Sequence, residues 1–453
     1  MQDRKVTAVS FAKAVRVWFK ISLLSFGGPA GQIAVMHRLL VEELKWVSER
    51  RFLHALNFCM LLPGPEAQQL TIYLGWILHR VRGGVVAGVL FVLPGAITVL
   101  ALSMIYVTYQ QAVAVSSVFF GVKAAVLAVV AAAVWRLAQN ILKQRLLITI
   151  TCVAFIASFV FSVPFPLVIA GAALAGLFIL GDDRHSEEDS GSHTQNERAV
   201  DRLAEHQQRP SRWRATRVIL VCGTIWLLPV CLLYGWLGTG HIFVQQGLFF
   251  SQVSVVTFGG AYAVLSYMAQ QTVGHYGWLS AGEMLDGLGM AETTPGPLIM
   301  VTQFVGFIGA YRSPGLLDPM IAGTLGALVT TWVTFAPCFL WIFLGAPYIE
   351  ALRGNQKLAR ALTGITAAVV GVVLNLAIWF GLRVMFTDLV EVELPLGIIT
   401  TQLHLPVLTS FDLAACAITL AAFGAIFVLR TGMITVLATG ATAGLVFGFL
   451  GLI

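Results

Sequence analysis

Two helix-breaking knots sit inside apolar sequence, and the pair occurs twice. Ser25-Phe26-Gly27-Gly28 leads on to Pro63-Gly64-Pro65, and Thr257-Phe258-Gly259-Gly260 leads on to Pro295-Gly296-Pro297. Subtracting 232 lays the second copy on the first without a gap. Twelve of the forty positions from Phe26 to Pro65 are then identical, among them Met36/Met268, Trp46/Trp278 and Ser48/Ser280. Glycine and proline in an apolar helix are normally costly, because the freed backbone groups need partners. A chain that keeps them twice, in register, must bury that backbone in protein or set it against a water-filled cavity.

The surrounding sequence fixes the solvent. Of 453 residues, 58% are hydrophobic and 11% charged, and apolar runs repeatedly reach the roughly 17 to 25 residues that cross a bilayer. This predicts an all-α polytopic membrane protein. The alternating ten-residue segments of a membrane β-barrel are absent. The net charge of +6 lies mainly between spans, where membrane orientation explains it better than nucleic-acid binding. Cys59, Cys152, Cys222, Cys231, Cys338 and Cys416 have no ligand spacing and read as small apolar fillers. His185, His193 and His206 are irregularly spaced, so no metal site and no cofactor is expected. The basic start, from Arg4 to Lys20, lacks the short apolar core of a removable signal.

In order, a first apolar stretch from about Phe11 to Leu40 breaks at Gly27-Gly28-Pro29, and a second, Phe52 to His79, breaks at Pro63-Gly64-Pro65. Four plainer spans follow, near Gly84–Tyr109, Ala112–Asn140, Leu146–Phe161 and Pro164–Leu180. The expected organisation is an N-terminal repeat (1–181), a polar linker (182–215), an orientation-reversing span (216–240) and a C-terminal repeat (241–453). The second repeat breaks within Ile242–Gln270 and Glu283–Ala310, then runs through Gly315–Leu344, Leu358–Phe386, Leu413–Leu429 and Met433–Leu452. Ala128-Val129-Val130-Ala131 aligns with Ala368-Val369-Val370-Gly371, an offset of 240.

Loop charges orient the halves, since Lys and Arg concentrate on the cytoplasmic side. The segment after the first knot carries Arg38, Lys45, Arg50 and Arg51; its counterpart, Gln270 to Gly282, carries none. Conversely, Gln110 to Gly121 has no basic residue, whereas the matching segment has Arg353, Lys357 and Arg360. A bias that reverses between copies is the signature of inverted repeats. If the knotted stretches are re-entrant hairpins, with about nine full spans rather than about thirteen, Arg38–Arg51, Arg80 and Arg82, Arg136–Arg145, the linker and Arg353–Arg360 all fall on the cytoplasmic side. Re-entry is therefore the expected arrangement, with the N-terminus and linker cytoplasmic.

The knots also suggest chemistry. Glycine permits a sharp reversal and proline suits the first turn of the next helix, so Pro29, Pro65 and Pro297 would each start a half-helix. Up to four N-termini would then face a common centre, where free N–H groups and the helix dipole attract anions. A simple kink between packed helices would explain one copy; two copies in inverted register favour a transporter's anion site. Polar neighbours Ser25, Gln32, Gln68, Gln69, Thr257, Thr293, Thr294 and Gln303 are candidate neutral donors, or else helix–helix contacts. Glu66 and Glu292 are candidate proton-carrying, coupling groups, or complements to a helix dipole. Lys123, with Thr363 as its counterpart, is a candidate counter-charge, or a lysine reaching for the interface. The full candidate substrate set is Ser25, Phe26, Gly27, Gly28, Gln32, Pro63, Gly64, Pro65, Gln68, Gln69, Lys123, Thr257, Gly259, Gly260, Thr293, Thr294, Pro295, Gly296 and Pro297.

Ser25-Phe26-Gly27-Gly28-Pro29, Leu62-Pro63-Gly64-Pro65-Glu66-Ala67-Gln68-Gln69, and Thr294-Pro295-Gly296-Pro297 with Phe304-Val305-Gly306-Phe307 together resemble the long-chain chromate transporter (CHR) family. The resemblance covers nearly the whole chain. It implies a bacterial inner-membrane exporter of chromate, conferring chromate resistance and built from two halves of opposite orientation. Ala261 stands where the first copy has Pro29, so the two Gly-Gly knots differ. A dianion leaving a negative-inside cell moves down the electrical gradient by about 4.6 kcal/mol per 100 mV. Sulfate or another oxyanion, and a passive anion channel, stay open as alternatives, as do coupled protons and a homo-oligomer. An enzyme is not expected: no HExxH or GxSxG motif occurs, and His54, His241 and His404 are isolated.

Overall fold

The structure is a computed structural model and describes residues 9–26, 28–142, 144–179, 212–258, 261–348, 356–396 and 399–452. Most of the expected linker, 182–211, lies outside the described residues. Among the described residues there are sixteen α-helices and one β-hairpin, and five of these helices are long and apolar enough to cross a membrane.

Each half opens with short helices around its knots. In the first, α1 (Phe11–Leu24), α2 (Gly28–His37, continued by a π-turn at Arg38–Glu43) and α3 (Glu49–Met60) lead to α4 (Glu66–Tyr109). The second half, reached through α8 (Arg212–Leu237), repeats this as α9 (Ile242–Val256), α10 (Ala261–Ala269, with a π-turn at Gln270–His275), α11 (Ala281–Thr293) and α12 (Val301–Arg312). At 14 residues α1 rises about 21 Å, short of the roughly 30 Å apolar core of a bilayer. The matched serines are the caps that start α3 and α11: the Ser48 hydroxyl accepts from Arg51 N–H, and Ser280 forms a capping box with Glu283.

Helix α4 is two arms. His79 and Arg80 leave helical geometry, Arg80 with φ 54°. In a straight helix residues eight apart lie about 12 Å apart. Here a Cβ on Gly75 would sit 2.5 Å from the Gly83 carbonyl oxygen, so the arms 66–78 and 81–109 fold back on each other. Bare glycine at both positions permits that approach. The second half makes the same hairpin with a longer loop, from α12 to α13 (Pro319–Gly345), which pack closely together.

Next come α5 (Val113–Ile141), α6 (Arg145–Phe159) and α7 (Phe165–Ile179), answered by α14 (Gln356–Met385), α15 (Leu413–Phe423, with a π-turn at Gly424–Val428) and α16 (Met433–Phe449). These terminal pairs cross over. Helices α15 and α16 pack on α5 of the first half, and α6 and α7 pack on α14 of the second. Thr151 Oγ1 donates to Ala367 O at 2.7 Å, and Thr419 Oγ1 donates to Ala124 O at 3.0 Å. That reciprocity is what a two-fold relation produces. It corrects the register of the long spans to 367 − 124 = 243, where the apolar sequence alone suggested 240. A shift of three is nearly one helical turn, so a uniformly apolar helix aligns almost as well in either register. The repeat equivalent of Lys123 is therefore Thr366, not Thr363.

The two long spans run antiparallel. A Cβ on Gly381 of α14 would lie 3.6 Å from Leu127 Cδ1 of α5. The equivalent of Gly381 in the new register is residue 138, about 16 Å further along α5, so a parallel two-fold pair could not make this contact.

One element lay outside the expected all-helical plan: the antiparallel hairpin β1 (Leu389–Leu396) and β2 (Ile399–Pro406) between α14 and α15. Its first strand alternates Val390, Val392 and Leu394 with Glu391 and Glu393, a period-two signal.

Candidate functional site

The knots of the two halves clasp each other. Gly64 N–H donates to Thr257 O at 2.8 Å, and Gly296 N–H donates to Ser25 O at 2.9 Å. With the 232 offset these are one bond made twice. Each Pro-Gly-Pro thus pairs its backbone with the residue that precedes the other half's Phe-Gly-Gly motif. Gly64 and Gly296 have φ of 117° and 106°, open to glycine and strained for any other residue. The same exchange continues outward: Gly296 rests on Gly95, beside Pro94 in α4, while Gly64 lies against Cys338, beside Pro337 in α13.

The candidate polar residues divide into three groups. The hydroxyls are committed to their own helices: Ser25 Oγ donates to Ile21 O and Thr257 Oγ1 to Val253 O, both at 2.6 Å. Thr293 and Thr294 likewise donate to carbonyls of α11. These four therefore present acceptors, which suits the fold more than an anion. The glutamines hold the knots. Gln32 Nε2 donates to Gly296 O, Gln69 Nε2 to Pro63 O, and Gln303 Nε2 to Ala96 O. Gln68 is fully buried and neither end of its amide has a partner. Pro65 and Pro297 cap the helices that follow them, and Pro295 packs its carbonyl on Gly95. Phe26 is half-buried at the end of the first turn. Gly27, Gly259 and Gly260 lie outside the described residues.

The ionisable residues form two separate clusters. Lys123 Nζ lies 3.1 Å from Asp286 Oδ2, which also accepts from Tyr106 OH at 2.8 Å. Lys123 thus has a protein counter-ion in a cluster joining α5, α11 and α4. The other cluster surrounds the first knot. Tyr262 OH donates to Glu292 Oε1 at 2.6 Å, and Glu292 Oε2 has no partner. That oxygen points at Gly28, where a Cβ would lie 3.9 Å from it.

A cavity of about 240 Å³ opens from this point. Gly28, Pro29 and Ala30, the start of α2, form one wall; Glu66, Tyr262 and Arg136 project from α4, α10 and α5. Three of the four half-helix starts therefore border one space. The α12 start does not border it. Arg136 supplies a planar, permanently charged fork suited to paired oxygens. In the sequence Arg136 reads only as a loop charge, and nothing there singles out Tyr262, Tyr106 or Asp286. Arg136 lies one helical turn from the polar end of its span, so only its position opposite Gly28 reveals it.

Comparison with known proteins agrees in kind. The family model described as chromate transporter matches residues 12–177 and 244–445. A probable chromate transport protein of Synechococcus elongatus is 29% identical over 83% of this chain and 85% of its own length. Chromate transport proteins of Pseudomonas aeruginosa and Cupriavidus metallidurans are 31% and 28% identical, over 81% and 79% of this chain and 80% of each relative. No solved structure matches.

Proposed function

The chain belongs to the chromate transporter family, and we propose that it is a secondary transporter that exports chromate from the bacterial cytoplasm across the inner membrane, thereby conferring resistance. The observation that carries this reading is the 240 Å³ cavity, which the start of α2, Arg136 and Glu66 all line. A tetrahedral dianion placed there would receive the α2 dipole and free N–H groups together with the guanidinium fork. Arg136 and Arg145 belong to the basic segments that loop charge assigns to the cytoplasm, so this cavity is the cytoplasmic entrance. The antiparallel α5 and α14 support halves of opposite orientation, and the short knotted helices support re-entrant hairpins meeting at the clasp.

Glu66 gives the cavity its coupling. A carboxylate facing a dianion adds like-charge repulsion, and a proton on Glu66 removes it, so anion and proton bind cooperatively. Glu292, held by Tyr262 on the other side of Gly28, is the second candidate in that relay.

The test is chromate uptake by everted membrane vesicles, with sulfate as competitor. Wild type should accumulate chromate, faster as pH falls, and Arg136→Gln should lower kcat/KM about tenfold, roughly one charge-assisted contact. Glu66→Gln, resembling the protonated state, should transport with a flattened pH profile. Sulfate accumulation without chromate accumulation overturns the cargo, and an unchanged pH profile in Glu66→Gln removes it from coupling.

A further inference from the structure

A second cavity, of about 320 Å³, lies between the end of α10, α14 and the turn joining α6 to α7. We propose that it is a second oxyanion station on the opposite side of the barrier from the first, with Arg383 as its cation. The proposal rests on the oxyanion cargo assigned above and extends it to a residue set that neither the knots nor the loop charges single out.

Position is the first argument. In the register fixed by the Thr151 and Thr419 bonds, Asn375, Leu376 and Trp379 of this cavity are the equivalents of Ala132, Ala133 and Arg136 of the first. Ser158, at the end of α6, answers Ile426 in the π-turn that continues α15, since 158 + 268 = 426 and the same offset relates Thr151 to Thr419. The two cavities therefore lie against the same stretch of the long span and the same neighbouring turn in each repeat. Because α5 and α14 cross antiparallel, Arg136 and Arg383 lie towards opposite ends of the crossed pair. The Gly381–Leu127 contact sets their levels about 16 Å apart along the helix axis.

Chemistry is the second argument. The Arg383 guanidinium lies over the Trp379 ring, 4.0 Å from its centroid. Stacking fixes the plane of the fork and so the direction of its N–H edge, the geometry that pairs with two oxygens of an oxyanion. Ser266, Gln270 and Asn375 add neutral hydrogen-bonding groups around it. Among the described residues no carboxylate lines this cavity, in contrast to Glu66 in the first.

The third argument is what separates the cavity from the clasp. The first cavity reaches the knot at Gly28. The second stops at Ser266, and Val264 and Leu265, both fully buried, fill the interval towards the knot. The first cavity thus reaches the start of α2 at Gly28, while buried side chains of α10 separate the second cavity from that level. A carrier in this state would show its release station empty of connection to the substrate, which is how alternating access keeps the two faces apart.

The experiment reads each face separately. In a chain with exposed Cys152 and Cys231 replaced by serine, Ser162→Cys places a thiol at the mouth of the second cavity. Right-side-out vesicles would be labelled with a membrane-impermeant maleimide, with molybdate as a redox-inert tetrahedral dianion. Molybdate should slow labelling at least threefold, Arg383→Gln should abolish that protection, and Arg136→Gln should leave it intact. In transport, Arg383→Gln should raise the KM for chromate about tenfold at the outer face, independently of pH, while leaving the KM at the cytoplasmic face within twofold. Protection that survives Arg383→Gln, or no protection at all, overturns the second station even where wild-type export is normal. Equal KM changes at both faces also overturn it, because they mark a general structural effect. Arg383-dependent protection in a chain that transports no chromate would uphold the station and defeat the export reading instead.

Discussion

At the scale of single residues, ionic groups fall where the two repeats differ. Glu66 is answered by Leu298, Glu292 by Met60, Tyr262 by Ala30 and Asp286 by His54. The duplicated positions are scaffold: Met36 and Met268 are fully buried, Trp46 and Trp278 nearly so, and Ser48 and Ser280 cap helices. Lys123 and Asp286 show what such an asymmetric pair costs to disturb. Lys123→Met should destabilise the protein by about 3 kcal/mol, because it strands a buried carboxylate, and adding Asp286→Asn should recover most of that. Thermal unfolding in detergent checks it; a single mutant as stable as wild type would refute the pairing. Internal repetition in the sequence therefore located the joints well and the chemistry only in part. Glu66 and Glu292, the coupling groups proposed above, stand out as candidates because a carboxylate beside a helix breaker in apolar sequence is conspicuous. Arg136 was not, because an arginine near the end of a span reads as a loop charge until the opposing wall is known.

Among the elements, the turning points decide most of the architecture. The knots were visible as glycine and proline, but the reversal at His79–Arg80 carries neither residue. It is betrayed only by Gly75 and Gly83, whose spacing looks unremarkable in a helix and becomes meaningful once the arms face each other. Gly75→Val should jam the two arms of α4 and abolish folded protein in the membrane, whereas Gly223→Val, on α8 with open space beside it, should insert normally. Fluorescence size-exclusion profiles of tagged variants distinguish them; a monodisperse Gly75→Val peak would mean that the arms do not pack as described. The β-hairpin was legible in principle from its alternating Val and Glu residues. Long apolar spans on either side drew attention to the helical period instead.

For the molecule as a whole, two-fold reciprocity is the governing relation. It appears as the Gly64–Thr257 and Gly296–Ser25 bonds at the clasp, and again as the Thr151–Ala367 and Thr419–Ala124 bonds between the long spans. Loop charges point to an inverted copy, which must exchange its basic and neutral loops. They could not set its register, which hydrogen bonds do. If the axis lies in the membrane plane, Ser48→Cys should react with an impermeant thiol reagent only from the cytoplasmic face and Ser280→Cys only from the outer face. Labelling of both from one side would remove the inversion.

The crossing of the terminal pairs also imposes an order on biosynthesis. Helices α6 and α7 leave the ribosome by residue 179, but the span they pack against, α14, begins at residue 356. At about 5 to 20 residues per second, the gap of 177 residues lasts roughly 9 to 35 s. Throughout that time the first half sits in the bilayer with its last two helices unpartnered and α5 bare along the face that α15 and α16 will cover. The nascent chain must therefore be held by lipid or by the insertion machinery until its own C-terminus arrives.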